Sequence, residues 1–201
     1  MHTNRRSARF LRPWWLALVL VATSSCSTRG ATSTEGSGDG MFRWTISTAV
    51  EIDAPPARVW SVLVNLPAYP EWNPFIVEAS GTVAAGERLS LRMALPGRRP
   101  MSIKPRLLVV EPERELRWKG RLVIPGLFDG EHVFVLTPLE GGRTRLDHWE
   151  RFGGLLLPIA KGMVYDATVE SFHALNAALA KRATIPTVVI AERDEHVAQG
   201  P

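Results

Sequence analysis

The sequence predicts an α+β fold built on an antiparallel sheet. Three observations predict it. Strand-like segments run together through the middle of the chain, glycine and proline punctuate them at short intervals, and a long segment of helical period comes last. Strands that follow one another without intervening helices pair as hairpins. A curved sheet closed over by one helix leaves a space between the two, which is a natural place for an apolar ligand.

The elements can be read in order. Residues 43–52 alternate, with Trp44, Ile46, Thr48, Val50 and Ile52 on one face, the pattern of a half-buried strand. Asp53-Ala54-Pro55-Pro56 stops it and opens a helix, because proline is tolerated in a first helical turn. Val59, Trp60, Leu63 and Leu66 follow helical spacing, which puts Trp60 in the core, until Pro67 and Pro70 break it. Six strands are expected over 75–83, 87–95, 101–111, 114–123, 131–138 and 143–152. Turn residues such as Gly86, Pro96-Gly97, Pro125-Gly126 and Gly141-Gly142 separate them. From 155 to 182 the period is helical. Met163, Thr168, Phe172, Leu175 and Leu179 share one side, and Asp166, Glu170, His173, Ala177 and Lys181 share a solvated side.

The chain of 201 residues is long enough for one domain with appendages. Residues 1–12 are Arg-rich, 13–22 (PWWLALVLVA) are apolar, and Thr23-Ser24-Ser25 leads into Cys26. This is the order of a secretory signal peptide over 1–25. Its apolar run falls well short of the ~20 residues that span a bilayer. Cys26 after small residues resembles the lipobox of bacterial lipoproteins, with Thr23 where that pattern prefers an aliphatic residue. Export to the cell envelope is therefore expected, with Cys26 as the candidate lipidation site and membrane anchor. Translation from Met41 would instead make the protein cytoplasmic. Residues 26–41 read as a flexible linker, 42–183 as the folded domain and 184–201 as a disordered tail.

The net charge of +4 belongs to the first segment. Arg5, Arg6, Arg9 and Arg12 account for it, and the rest of the chain is neutral. No basic stripe is left for nucleic acid. One cysteine excludes an internal disulfide. There is no phosphate-binding glycine loop, no spaced Cys/His set and no nucleophilic serine with an identifiable base, so neither cofactor nor metal is expected.

Strand faces bring the chemistry together. Thr144, Leu146, His148, Glu150 and Phe152 share one face of the last strand, opposite a charged set running from Arg143 to Arg151. His132, Phe134 and Leu136 share the inward face of the strand before it. A hairpin across Glu140-Gly141-Gly142 can set Leu136 opposite Leu146, Phe134 opposite His148 and His132 opposite Glu150. A carboxylate beside His132 would favour the protonated imidazole. His132, His148 and Glu150 are candidates for acid–base work or for orienting a ligand carbonyl or hydroxyl. The structural alternative is a buried polar pair that satisfies itself and fixes register. Trp72 and Trp118 either line a cavity or pack in the core, and Asn73 organises a turn.

Residues 50–60 (VEIDAPPARVW), 69–75 (YPEWNPF), 105–118 (PRLLVVEPERELRW), 130–134 (GEHVF) and the strand from Thr144 to Gly153 together resemble the START-like superfamily, also called SRPBCC or Bet v 1-like. Its polyketide cyclase/dehydrase and lipid-transport branch is the most similar. The resemblance covers about residues 43–182. It implies a helix-grip fold, a bent sheet around a long C-terminal helix, with a cavity for lipids, sterols, polyketides or other apolar molecules. On that fold the residues expected at the cavity are Trp72, Leu107, Trp118, His132, Phe134, Leu136, Leu146, His148, Glu150, Phe152, Met163 and Phe172. Loops at 96–100 and 124–130 are candidate lids. The expected function is an envelope-associated carrier of a small hydrophobic ligand. The alternative is a cyclase or dehydratase acting through the cavity His and Glu.

Overall fold

The computed structural model describes residues 33–37, 40–121 and 125–185. The signal-like segment, Cys26 and the chain beyond residue 185 lie outside the described residues.

The alternation over 43–52 becomes β2 (Arg43–Ile52), with Trp44, Ile46, Thr48, Val50 and Ile52 all buried. β1 (Ser33–Ser37) lies antiparallel on its outer edge, with Ser33 opposite Ala49 and Ser37 opposite Thr45. The expected linker over 26–41 therefore contains an edge strand. Side-chain composition misses it because the attraction is in the backbone. The free edge of β2 offers unpaired N–H and C=O groups that an adjoining extended segment can bond.

α1 (Pro56–Leu63) follows, burying Val59, Val62 and Leu63. Trp60 is only half-buried, packed against the edge of the core. A short 3-10 turn and α2 (Tyr69–Trp72) lead to Asn73. The Asn73 Oδ1 accepts the backbone N–H of Phe75 at 3.0 Å and of Ile76 at 2.8 Å, which makes the expected turn.

The strands divide into two sheets. β3 (Ile76–Ser80), β4 (Ser90–Met93) and β5 (Met101–Ile103) form the smaller. β6 (Arg106–Glu111), β7 (Glu115–Arg121), β8 (Asp129–Leu139) and β9 (Arg143–Gly153) join β1 and β2 in the larger, ordered β1-β2-β9-β8-β7-β6. Every pairing is antiparallel. The strand expected over 101–111 is two strands, divided at Lys104-Pro105 because Pro105 has no N–H to donate to a ladder. Backbone bonds of residues 86–89 stitch the two sheets together. Leu107 N–H donates to Glu87 O at 2.8 Å, and Leu89 N–H to Pro105 O at 3.0 Å.

α3 (Leu157–Thr184) lies across the sheet with Thr168, Ser171, Phe172, Leu175, Asn176, Leu179 and Ala183 buried. Its last carbonyls have no helical partner. The Arg58 guanidinium on α1 supplies one, donating to the carbonyls of Arg182, Ala183 and Ile185 at 3.1–3.3 Å. A cation at a helix C-terminus also complements the helix dipole. The result is a helix-grip arrangement, α+β, with α3 held inside a curved antiparallel sheet.

Candidate functional site

The hairpin register is the one the strand faces predict. His132 lies opposite Glu150, Phe134 opposite His148 and Leu136 opposite Leu146. The rows continue across the sheet, with Trp118 beside His132 and Thr48 beside His148. All of these side chains are buried.

Their polar atoms form one chain of hydrogen bonds. Thr48 Oγ1 donates to the His148 backbone carbonyl at 3.0 Å. Asn176 Nδ2 donates to Thr48 Oγ1 at 2.9 Å. His148 Nδ1 meets Asn176 Oδ1 at 2.7 Å, and its Nε2 meets His132 Nε2 at 2.7 Å. His132 Nδ1 meets Glu150 Oε2 at 3.3 Å.

One end fixes the direction of the whole chain. A backbone carbonyl can only accept, so the Thr48 hydroxyl proton is spent on it. Asn176 must then donate through its amide nitrogen and accept through its oxygen. That assigns the His148 proton to Nδ1 and leaves its Nε2 as an acceptor. His132 must donate from Nε2. A single proton remains for the gap between His132 Nδ1 and Glu150 Oε2.

Burial decides which side holds that proton. Desolvation pushes Glu150 up to about 8 and His132 down to about 3. The same cause, with His132 second, holds His148 well below its ordinary value. The surroundings are aromatic. Trp118 stacks on His132 at 4.7 Å, and His148 lies between Phe134 at 4.4 Å and Phe172 at 4.0 Å. The expected carboxylate–imidazolium pair is therefore corrected to a neutral acid donating to a neutral imidazole. Two ions out of water would cost more than their attraction returns.

Next to this chain lies an apolar cavity of about 200 Å³. Met93, Met101 and Ile103 of the smaller sheet form one wall, Gly130, Glu150 and Phe152 another, and Leu156, Ala160 and Thr168 the helix side. Phe75 and Phe128 also line it, and Arg121 stands exposed at the mouth. Glu150 is the element common to cavity and chain. Gly130 makes room for it, since a Cβ there would collide with Glu150 Oε1. Among the described residues no group of three His, Cys, Asp or Glu side chains is placed to hold a metal ion.

A family model described as polyketide cyclase/dehydrase and lipid transport matches residues 43–184. The chain belongs to that family. Solved structures share the fold. The Zhui aromatase/cyclase from Streptomyces sp. R1128 is 20% identical, with a TM-score of 0.58 over 70% of this chain and 93% of that one. A START superfamily protein from Mycobacterium smegmatis is 22% identical, with a TM-score of 0.56 over 69% and 96%. A protein from Arthrobacter aurescens is 17% identical, with a TM-score of 0.58 over 82% and 98%. No curated protein matches at a significant level.

On this polyketide cyclase/dehydrase and lipid-transport fold, the expected cavity residues separate into groups. Glu150 and Phe152 line the cavity. His132, His148, Trp118, Phe134 and Phe172 form the stacked cluster beside it. Leu107, Leu136 and Leu146 are core residues without a face on the cavity. Trp72 is elsewhere, edge-on to Tyr69 at 5.1 Å and bordering a surface cleft with Arg58 and Arg182. Met163 belongs to α3, but its side chain lies outside the described residues. Leu95 and Phe128 place the loops after β4 and before β8 at the cavity, and residues 122–124 lie outside the description.

Sequence reasoning missed Thr48 and Asn176 as site residues, although both carried a signal. Thr48 is the one polar residue in the inward row of β2, and Asn176 stands one helical turn after Phe172. A polar group on an apolar face needs a buried partner.

Proposed function

We propose that the protein is a binding or carrier module for a small hydrophobic molecule, working at the cell envelope. The observation that carries this reading is the cavity, apolar on nearly every wall and open at one end of α3. At about 200 Å³ it is smaller than the ~300 Å³ at which drug-sized pockets begin. It suits a compact molecule, or one end of a longer one whose remainder leaves by the mouth. The rim favours work at a lipid surface. Leu155 and Ile159 are 69% and 70% exposed beside the lining residues Leu156 and Ala160. Phe42, itself half exposed, is tied to the same corner, its carbonyl accepting the Gly154 N–H at 3.2 Å. The Arthrobacter, Mycobacterium and Streptomyces neighbours support the fold of this reading.

A second reading, cyclase or dehydratase chemistry, has one specific observation in its favour. Glu150 sits at the cavity wall, protonated near neutral pH, as a general acid would be. Its proton, however, is already directed at His132 and away from the cavity.

Native mass spectrometry of the full chain purified from its own host tests the first reading, with organic extraction of what co-purifies. The expected result is an apolar adduct in the wild type and none in Met101→Trp, where the indole fills the cavity. A wild type without adduct, indifferent to added lipids, overturns it.

A further inference from the structure

The hydrogen-bond chain has two ends. One is the His148 carbonyl, sealed between β2 and β9. The other is Glu150, which lines the cavity. Oε2 is engaged with His132, while Oε1 makes no hydrogen bond among the described residues. It lies against Gly130, whose missing side chain leaves it uncovered. Glu150 as a whole is 8% exposed. An acceptor oxygen is thus held at an apolar wall with its rotamer and protonation fixed from behind.

We propose that the cavity selects uncharged apolar molecules bearing a hydroxyl group, such as a phenol or an alcohol, whose O–H donates to Glu150 Oε1. This rests on the binding reading above and names its ligand class. The direction of the chain carries it. Thr48, Asn176, His148 and His132 each pass a donor toward the sealed end, so the acid must give its one proton to His132. What remains toward the cavity is a carbonyl-type oxygen, which accepts and cannot donate. A ligand carbonyl or ether set there would face oxygen with oxygen. A ligand carboxylate would bring an unpaired charge into an apolar space beside a neutral acid. A donor is the one partner that satisfies Oε1. The preference should be large, because a buried polar atom left unpaired costs more than a hydrogen bond gains.

The test uses three probes of one shape: 2-naphthol, which donates; 2-methoxynaphthalene, which only accepts; and 2-naphthoate, which is anionic. Affinities are measured by isothermal titration calorimetry on the wild type, Glu150→Gln and Glu150→Leu at pH 6.5. Naphthol is expected to bind about tenfold more tightly than its methyl ether, with naphthoate weakest. Leucine should abolish the difference. Glutamine should rescue it, because its amide N–H donates to His132 and its oxygen still faces the cavity. Equal affinities for naphthol and its ether overturn the hydroxyl preference while leaving the apolar cavity standing. Tightest binding of naphthoate also overturns it and transfers recognition to Arg121 at the mouth. Failure of all three probes to bind folded protein overturns both this inference and the binding reading. If Glu150→Leu does not fold, the wild-type probe ranking decides alone.

Discussion

The space beneath α3 has two halves, and they are built on opposite rules. The half under residues 172–179 is filled. Phe134, His148 and Phe172 stack there, and every polar atom of Thr48, His132, His148 and Asn176 that joins the chain has a defined partner. The half under residues 156–168 is open, walled by Met93, Met101, Ile103 and Phe152. The filled half fixes position. Methionine side chains in the open half adapt to what enters, because they are unbranched and polarizable. Glu150 stands at the boundary. The comparison teaches that rigidity on one side is what makes a soft cavity selective on the other.

The largest expected effect comes from breaking the filled half. His148→Ala removes two stacked faces and strands Asn176 Oδ1 and His132 Nε2 without partners. Truncating a buried ring costs roughly 3–5 kcal/mol, and stranded polar groups add to that. Urea unfolding should show a loss of about 4 kcal/mol. A loss below about 1 kcal/mol would mean the cluster is not the rigid half.

A pH series sharpens the boundary between the halves. Burial raises Glu150 from 4.5 to about 8. A raised acid contributes stability that is fully present below 4.5 and is lost as pH rises through 8. His132 runs the other way. Lowered from 6.5 to about 3, it contributes stability present above 6.5 and lost as pH falls through 3. Above pH 6.5 the imidazole contribution is constant, so the urea midpoint of the wild type should fall from pH 6.5 to about pH 8 and level off beyond it. Glu150→Gln cannot ionise, so it should flatten that limb and keep the acid one. A wild type whose midpoint does not move above pH 7 would falsify the neutral acid.

These two tests bear on features of unequal legibility. Two-residue alternation is a property of a strand alone, so the inward faces of β8 and β9 and the pairing of His132 with Glu150 could be read directly. The charge state of that pair could not. Adjacent letters suggest an ion pair, and only the depth of burial, with Trp118 and Phe172 packed around the imidazoles, reverses it. The cavity was the least legible. Met93, Met101 and Ile103 look like ordinary strand residues, and nothing local tells that the smaller sheet stands away from α3. Conversely Leu107, Leu136 and Leu146 looked like lining and are core, because a strand pattern gives the face of a residue and not the depth of the space before it.

Two glycines give the smallest and most discriminating test. Gly120 and Gly130 lie opposite each other on β7 and β8, and both line the cavity. An added methyl meets different neighbours. At Gly120 it would find Ile103 Cδ1 at 3.6 Å and Pro105 Cβ at 3.9 Å, which is ordinary contact. At Gly130 it would run into the Glu150 carboxyl, which must then swing from its place. Gly130→Ala should cost about 1–3 kcal/mol, as overpacking does, and should weaken the naphthol preference by displacing the acceptor. Gly120→Ala should change stability by less than about 0.5 kcal/mol and leave the preference intact, since it removes only volume. Both substitutions shrink the same cavity by one methyl group. Equal effects would mean that volume alone governs binding. Unequal effects in the stated order would locate selectivity at Glu150, where the rigid half meets the open one.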